Sequence, residues 1–174
     1  MPMITLLKIG GGVLLVLAGV LLVLSFTGKK TFRTEVFIPV PPEAVWDVLM
    51  DTASYPDWNP TFIQVQGEYK EGVKVTNTVK TPDGTMTINA SVQVVIPKAE
   101  LRQAGGLPGV ITFDHRWLLR PENGGTCVIQ HEIDRGFYLW FWNSDWVQPA
   151  YERASLALKH RVSGTGEPTG CRDK

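Results

Sequence analysis

From residue 32 onward, apolar and polar positions alternate with a period of two through most of the chain, which predicts half-buried strands. Phe32, Thr34, Val36, Ile38 and Val40 share one face of a first strand. Ile63, Val65 and Tyr69 share a face near 61–69, and Val73, Val75, Asn77 and Val79 alternate with lysines and threonines. After a Pro82-Asp83-Gly84 turn, Met86, Ile88, Ala90, Val92, Val94 and Ile96 line another strand. Leu101 and Gln103 belong to a shorter strand beginning near Ala99, followed by a Gly105–Gly109 loop. Ile111, Phe113, His115, Trp117 and Leu119 form the next apolar face; Asn123-Gly124-Gly125 turns the chain; Cys127, Ile129, His131 and Ile133 are expected to face the core from the last strand. The period changes to helical in two places. Pro41-Pro42-Glu43 suits a helix start through Met50, with a second short helix or turn at 52–60. Leu139, Trp142, Trp146, Ala150, Ala154, Ala157, Leu158 and Arg161 recur at helical spacing over 139–162; Pro149 kinks this helix or marks its true beginning, and Gly164 ends it.

About seven strands, each with one apolar face, predict an antiparallel sheet with one wet side. Its dry side needs a cover, and the long C-terminal helix is the element available. The class is therefore α+β in the order β-α-α-β6-α. The polar, Gly/Pro-bearing tail from residue 164 to 174 is expected to be disordered.

The start of the chain obeys neither period. Ile9 to Gly28 are twenty residues without a charge, long enough to cross a bilayer as a helix. We read residues 1–30 as an N-terminal transmembrane anchor, spanning through 9–28, and 31–163 as one domain. A cleaved secretory signal and a buried soluble helix are the alternatives. Lys8 precedes the run; Lys29, Lys30 and Arg33 follow it. That bias favours a single-pass membrane protein with a cytoplasmic C-terminal domain.

Composition narrows the function. Lys plus Arg and Asp plus Glu both number 17 in 174 residues, so no cationic excess is available for non-specific binding to nucleic acid. Two cysteines cannot build a disulfide framework, so a hydrophobic core must carry the fold. Six tryptophans suggest a core or cavity lined by large flat side chains.

Pro-Pro-Glu-Ala-Val-Trp-Asp-Val-Leu at 41–49, the Tyr-Pro-Asp-Trp-Asn-Pro run at 55–60, His115-Arg-Trp-Leu-Leu-Arg-Pro121, Gly124-Gly125-Thr126 and His131-Glu-Ile-Asp-Arg-Gly136 together resemble the polyketide cyclase/dehydrase-like SRPBCC family of the START-like, helix-grip superfamily. The resemblance covers about residues 32–162. It implies a helix-grip fold, a curved sheet wrapped around the C-terminal helix, and a ligand cavity between them. It implies no single reaction, because members include binders of apolar ligands, lipid carriers and cyclases.

Candidate chemistry is sparse. Pairing Leu119 with Cys127 across the turn sets His115 opposite His131, so two imidazoles would meet inside an apolar cavity, where burial lowers both pKa values. They are the candidate catalytic residues. Alternatively they form a polar patch or contact a ligand. Trp58, Phe113, His115, Trp117, His131, Trp146 and Tyr151 are the candidate ligand-binding residues. No metal site or cofactor is expected, since no Cys or His spacing matches one. Cys127 reads as a small core residue, and Asp114, Glu132 and Asp134 as solvated charges on the wet face. The expected function is a membrane-anchored binding module for a small hydrophobic molecule: a lipid, isoprenoid or aromatic polyketide-like compound. The alternatives are a cyclase/dehydratase-type enzyme using His115 or His131, or an interaction protein with a vestigial cavity. The identity of any protein partner is not legible.

Overall fold

A computed structural model describes residues 3–122 and 124–172. Asn123 of the expected turn lies outside them, as do the first two and last two residues. Helix α1 (Met3–Thr27) leads with no intervening linker into strand β1 (Lys29–Ile38). Then come α2 (Pro42–Met50), the short α3 (Tyr55–Trp58), and six strands: β2 (Phe62–Gln66), β3 (Lys74–Thr81), β4 (Gly84–Ile96), β5 (Glu100–Leu107), β6 (Ile111–Glu122) and β7 (Gly125–Arg135). A 3₁₀ turn, Phe137–Trp140, precedes α4 (Val147–Ser163).

The seven strands form one antiparallel sheet in the order β1-β7-β6-β5-β4-β3-β2. Its inner face and α4 enclose the core, in which Val36, Val75, Val92, Leu101, Trp117, Leu119 and Val128 meet Leu158. The expected helix-grip architecture is therefore present. The long helix begins eight residues later than 139. The chain takes its 3₁₀ turn first, and Pro149 falls in the first turn of α4, where its missing N–H costs nothing. Gly164 closes α4 in the left-handed conformation, φ 72°.

The phase of the strands follows the sequence pattern on β1, β3, β5 and β6. It departs on β4, where a bulge between Val92 and Val94 turns Val95 toward the core and leaves Ile96 exposed. It departs more consequentially on β7. The β6–β7 register pairs Leu119 with Val128 and His115 with Glu132, one residue away from the expected pairing. A slip of one residue exchanges the two faces of a strand. Thr126, Val128, Gln130, Glu132 and Asp134 consequently share the inner face with their buried cross-strand neighbours, and Cys127, Ile129, His131 and Ile133 point out.

The sheet and its contacts reach beyond residues 31–163 at both ends. Lys29 and Lys30 pair with Arg135 and Asp134, so the sheet starts before residue 31. Gly28 sits under Gly136: a Cβ there would come within 2.0 Å of the Gly136 carbonyl oxygen, so no larger residue fits. At the other end, Cys171 forms a disulfide with Cys127. The Phe37 N–H donates to the Thr169 carbonyl (2.8 Å), and Lys159 Nζ donates to Thr169 Oγ1. The stretch from 164 to 172, expected to be disordered, is fastened along β1, and Cys127 is a cystine rather than a free core thiol.

Candidate functional site

His115 lies at the centre of the inner face, 4% exposed. Rings crowd it: Phe62 of β2 at 5.4 Å, Tyr151 of α4 at 5.6 Å and Trp117 of its own strand at 5.9 Å between centroids. Its Nε2 lies 3.0 Å from Gln130 Nε2. A carboxamide nitrogen only donates, so the imidazole nitrogen must accept, which requires neutral histidine protonated at Nδ1. Burial pushes the His115 pKa down to about 4, in agreement with that tautomer. The far end of the amide is also fixed: Ser155 Oγ donates to Gln130 Oε1 (3.3 Å) and pairs with Thr34 Oγ1 (2.7 Å). A hydroxyl–hydroxyl–amide–imidazole chain thus crosses from β1 through α4 and β7 to β6.

On the other side of His115 the polar belt continues. Gln103 is its cross-strand neighbour, and Gln103 Oε1 accepts from Asn77 Nδ2 at 3.1 Å. Asn77 Oδ1 is buried without a partner, as are Trp58 Nε1 and Asp134 Oδ1. Buried polar atoms are paired in the great majority of cases, and each exception calls for an explanation.

One row toward the end of the sheet where α1 enters, Glu132 sits between Phe32 and His115. Asp134 sits between Lys30 and Phe113. The two carboxyls are 9% and 2% exposed, which corrects their expected place on the wet face. Burial raises both pKa values, and the neighbouring Asp134 charge raises Glu132 further. Burial also raises the Tyr151 hydroxyl, which faces Glu132. Lys30 holds the adjoining loop, donating to the Trp142 carbonyl (2.8 Å) and Ser144 Oγ (2.6 Å).

The other candidates divide. Phe113 is half-buried against the core, and Gly105 opposite leaves room for its ring. Trp117 is buried; Trp146 and Tyr151 pack with Phe32 and Phe62. Trp58 packs on the core from α3, its ring 5.0 Å from Tyr55. His131 is absent from this interior. It projects from the outer face between Arg33 and Arg116, so it neither meets His115 nor faces α4. Asp114 does lie on the outer side as expected. Burial raises its pKa, but hydrogen bonds from Arg116 and Arg102 outweigh that and hold it low.

Sequence reading missed Gln130, Glu132, Asp134 and Lys30. The available signal was the run of polar residues in one phase of β7, which looks like a solvent face when apolar residues are assumed to point inward. Glu35 lies with Cys127 and Cys171 at ligand-like separations, but the sulfurs are already bonded to each other.

Among the described residues, clefts open on the surface in at least three places. Two, of about 570 and 360 Å³, lie beside β1, α4 and the tail. The third, about 640 Å³, runs between the β3–β4 turn and the loop before α4, with Met86, Trp142 and Trp146 in its wall. Trp146 also packs against the Phe32–Tyr151 cluster, so it is shared between cleft and interior.

Residues 38–141 match the family model described as polyketide cyclase / dehydrase and lipid transport. Among solved structures, the chain is similar to the protein TTHA0849 from Thermus thermophilus (18% identity, TM-score 0.63, covering 76% of this chain and 97% of that one). It is also similar to a START superfamily protein from Mycobacterium smegmatis (16%, 0.60, 76% and 96%). It aligns with about half of the di-domain ARO/CYC protein BexL from the BE-7585A biosynthetic pathway (19%, 0.61, 86% and 54%). No curated protein matches the sequence significantly.

Proposed function

Because the chain belongs to the polyketide cyclase / dehydrase and lipid transport family, and because its interior combines stacked rings with unfilled hydrogen-bonding capacity, we propose that it binds a small hydrophobic molecule between the sheet and α4, tethered to a membrane by α1. The carrying observation is the pair of buried, unpartnered atoms Trp58 Nε1 and Asn77 Oδ1 among the rings and amides of the interior. Apolar pockets with a few placed polar groups are the usual form of a small-molecule site. A ligand with one or two neutral oxygen functions satisfies such atoms; an anionic headgroup beside Glu132 and Asp134 is disfavoured.

A second reading, a cyclase- or dehydratase-type reaction, is favoured by one observation: Glu132 and Asp134 are buried side by side beneath Tyr151. His115 is a poor base there, its pKa pushed down to about 4 by burial and its Nε2 lone pair already accepting a hydrogen bond, and His131 lies outside. If a reaction occurs, its acid–base group is the carboxyl pair.

The test is mass spectrometry of small molecules co-purified with residues 28–174, followed by displacement with a fluorescent apolar probe. The expected result is a stoichiometric apolar compound that the probe displaces. Asn77→Leu should weaken its binding by roughly tenfold, the worth of about one hydrogen bond. A domain that carries nothing and excludes the probe would overturn the reading.

A further inference from the structure

The end of the molecule where α1 meets the domain exposes an unusual set of side chains. Phe141 is 72% exposed, Leu107 62%, Trp140 56% and Tyr138 46%. They come from two segments, the end of β5 with the loop after it and the 3₁₀ turn after β7 with the residue that follows it. Those segments are bonded together: the Phe137 N–H donates to the Gly109 carbonyl (3.0 Å) and the Tyr138 N–H to the Val110 carbonyl (3.1 Å). The patch is therefore one surface.

That surface is built onto the last turn of α1. Trp140 Nε1 donates to the Leu24 carbonyl at 3.3 Å. The Gly136 N–H donates to the Gly28 carbonyl (3.0 Å), and Gly28 is itself bonded to the Leu24 carbonyl (2.9 Å). No flexible linker separates helix from sheet. The stretch Lys8–Thr27 has mean hydropathy 2.6, and none of it is buried against the domain. Wherever that helix ends in a bilayer, Trp140 must lie within a few ångströms of the same depth.

We propose that this pole is a bilayer-docking surface. Leu107, Tyr138, Trp140 and Phe141 sit in the interfacial layer around the emerging helix, and Lys29 and Arg135 face the headgroups. The partner is a lipid bilayer bearing anionic lipid. The residue types fit the partner, since tryptophan and tyrosine concentrate where an apolar ring and a polar edge are both satisfied. The charges fit too: Lys29 and Arg135 are exposed, paired across β1 and β7, and adjacent to the helix exit. Asp83 and Asp145 are exposed on the Trp142–Trp146 cleft. The inference rests on α1 being membrane-inserted and is independent of whether the interior holds a ligand.

The experiment places nitroxide labels on the full chain reconstituted in vesicles of phosphatidylcholine and phosphatidylglycerol. Phe141→Cys and Leu107→Cys report the collar, Leu17→Cys the anchor, and Lys98→Cys the far pole. The collar labels should collide readily with oxygen and be shielded from an aqueous nickel chelate, as at Leu17, while the Lys98 label is open to the chelate. Quenching of native tryptophan by brominated lipid gives a second readout that needs no added cysteine. Among the six tryptophans Trp140 is the most exposed, so Trp140→Phe should reduce the quenching sharply. Collar labels as chelate-accessible as Lys98, with Leu17 in lipid, would overturn the docking surface and leave the anchor standing. Chelate access at Leu17 as well would overturn both.

Discussion

At the scale of single residues, the inner face of β7 sets the character of the molecule. Gln130 fixes the neutral tautomer of His115, and Glu132 and Asp134 bring two carboxyls into an interior that also holds the Asn77 and Gln103 amides. These groups predict opposite pH dependences. Burial holds the Glu132 proton in the folded protein at pH values where the unfolded chain has released it. A raised carboxyl contributes stability that is present at low pH and lost as pH rises through the folded-state value. His115 works the other way. Its pKa falls from 6.5 to about 4 on burial, so folding loses stability as pH drops through that window. Glu132→Gln keeps the shape and removes one liability. Thermal melts across pH should show the variant at least as stable as the parent on the alkaline side, by on the order of 1 kcal/mol or more, the equivalent of one pKa unit. The difference should vanish toward acid pH. A constant difference at all pH values would mean that Glu132 is not held protonated.

At the scale of elements, much was legible because the physical rule that reads a strand is the rule that folds it. Val75, Asn77 and Val79 on β3, and Leu101 and Gln103 on β5, turn inward as alternation requires. The inward Asn77 and Gln103 were visible as polar interruptions of an apolar face, although their hydrogen bond was not. On β7 the same rule misleads. Cys127 and Ile129 are buried on the outer side, at 0% and 6% exposure, while the inner side carries the polar residues. The sheet is two-sided at that strand because the tail returns over β1 and is tied to Cys127. Tail and β7 thus form one structural unit, closed by a disulfide that spans 44 residues of sequence. β1 is an edge strand, and the Phe37–Thr169 hydrogen bond covers part of its free edge. Replacing both cysteines by serine should cost about 2–4 kcal/mol in chemical denaturation, as expected for a loop of this length. It should also expose residues 164–172 to limited proteolysis. A protease-resistant tail in the double variant would show that its backbone contacts suffice alone.

At the scale of the whole molecule, the disulfide bears on which side of a membrane the domain would occupy with α1 as its anchor. The sequence expectation of a cytoplasmic domain counted Lys29, Lys30 and Arg33 as free flanking charges. Two of them are committed to the fold. Lys30 holds the loop before α4, and Arg33 is paired with Glu35. Their presence after the helix is explained by the domain, so they weigh less as a retention signal. The Cys127–Cys171 bond weighs in the opposite direction, because structural disulfides persist in oxidising compartments and are rare in the reducing cytosol. We therefore expect the C-terminal domain on the oxidising side, with the start of the chain inside. An alkaline phosphatase fused after Lys174 should be active, and a green fluorescent protein at the same place should be dark. A membrane-impermeant maleimide applied to intact cells should label Cys171 only after reduction. Free thiols in unreduced cells, together with a fluorescent fusion, would return the domain to the cytoplasm. The cysteine pair would then be a redox-sensitive contact rather than a permanent tie.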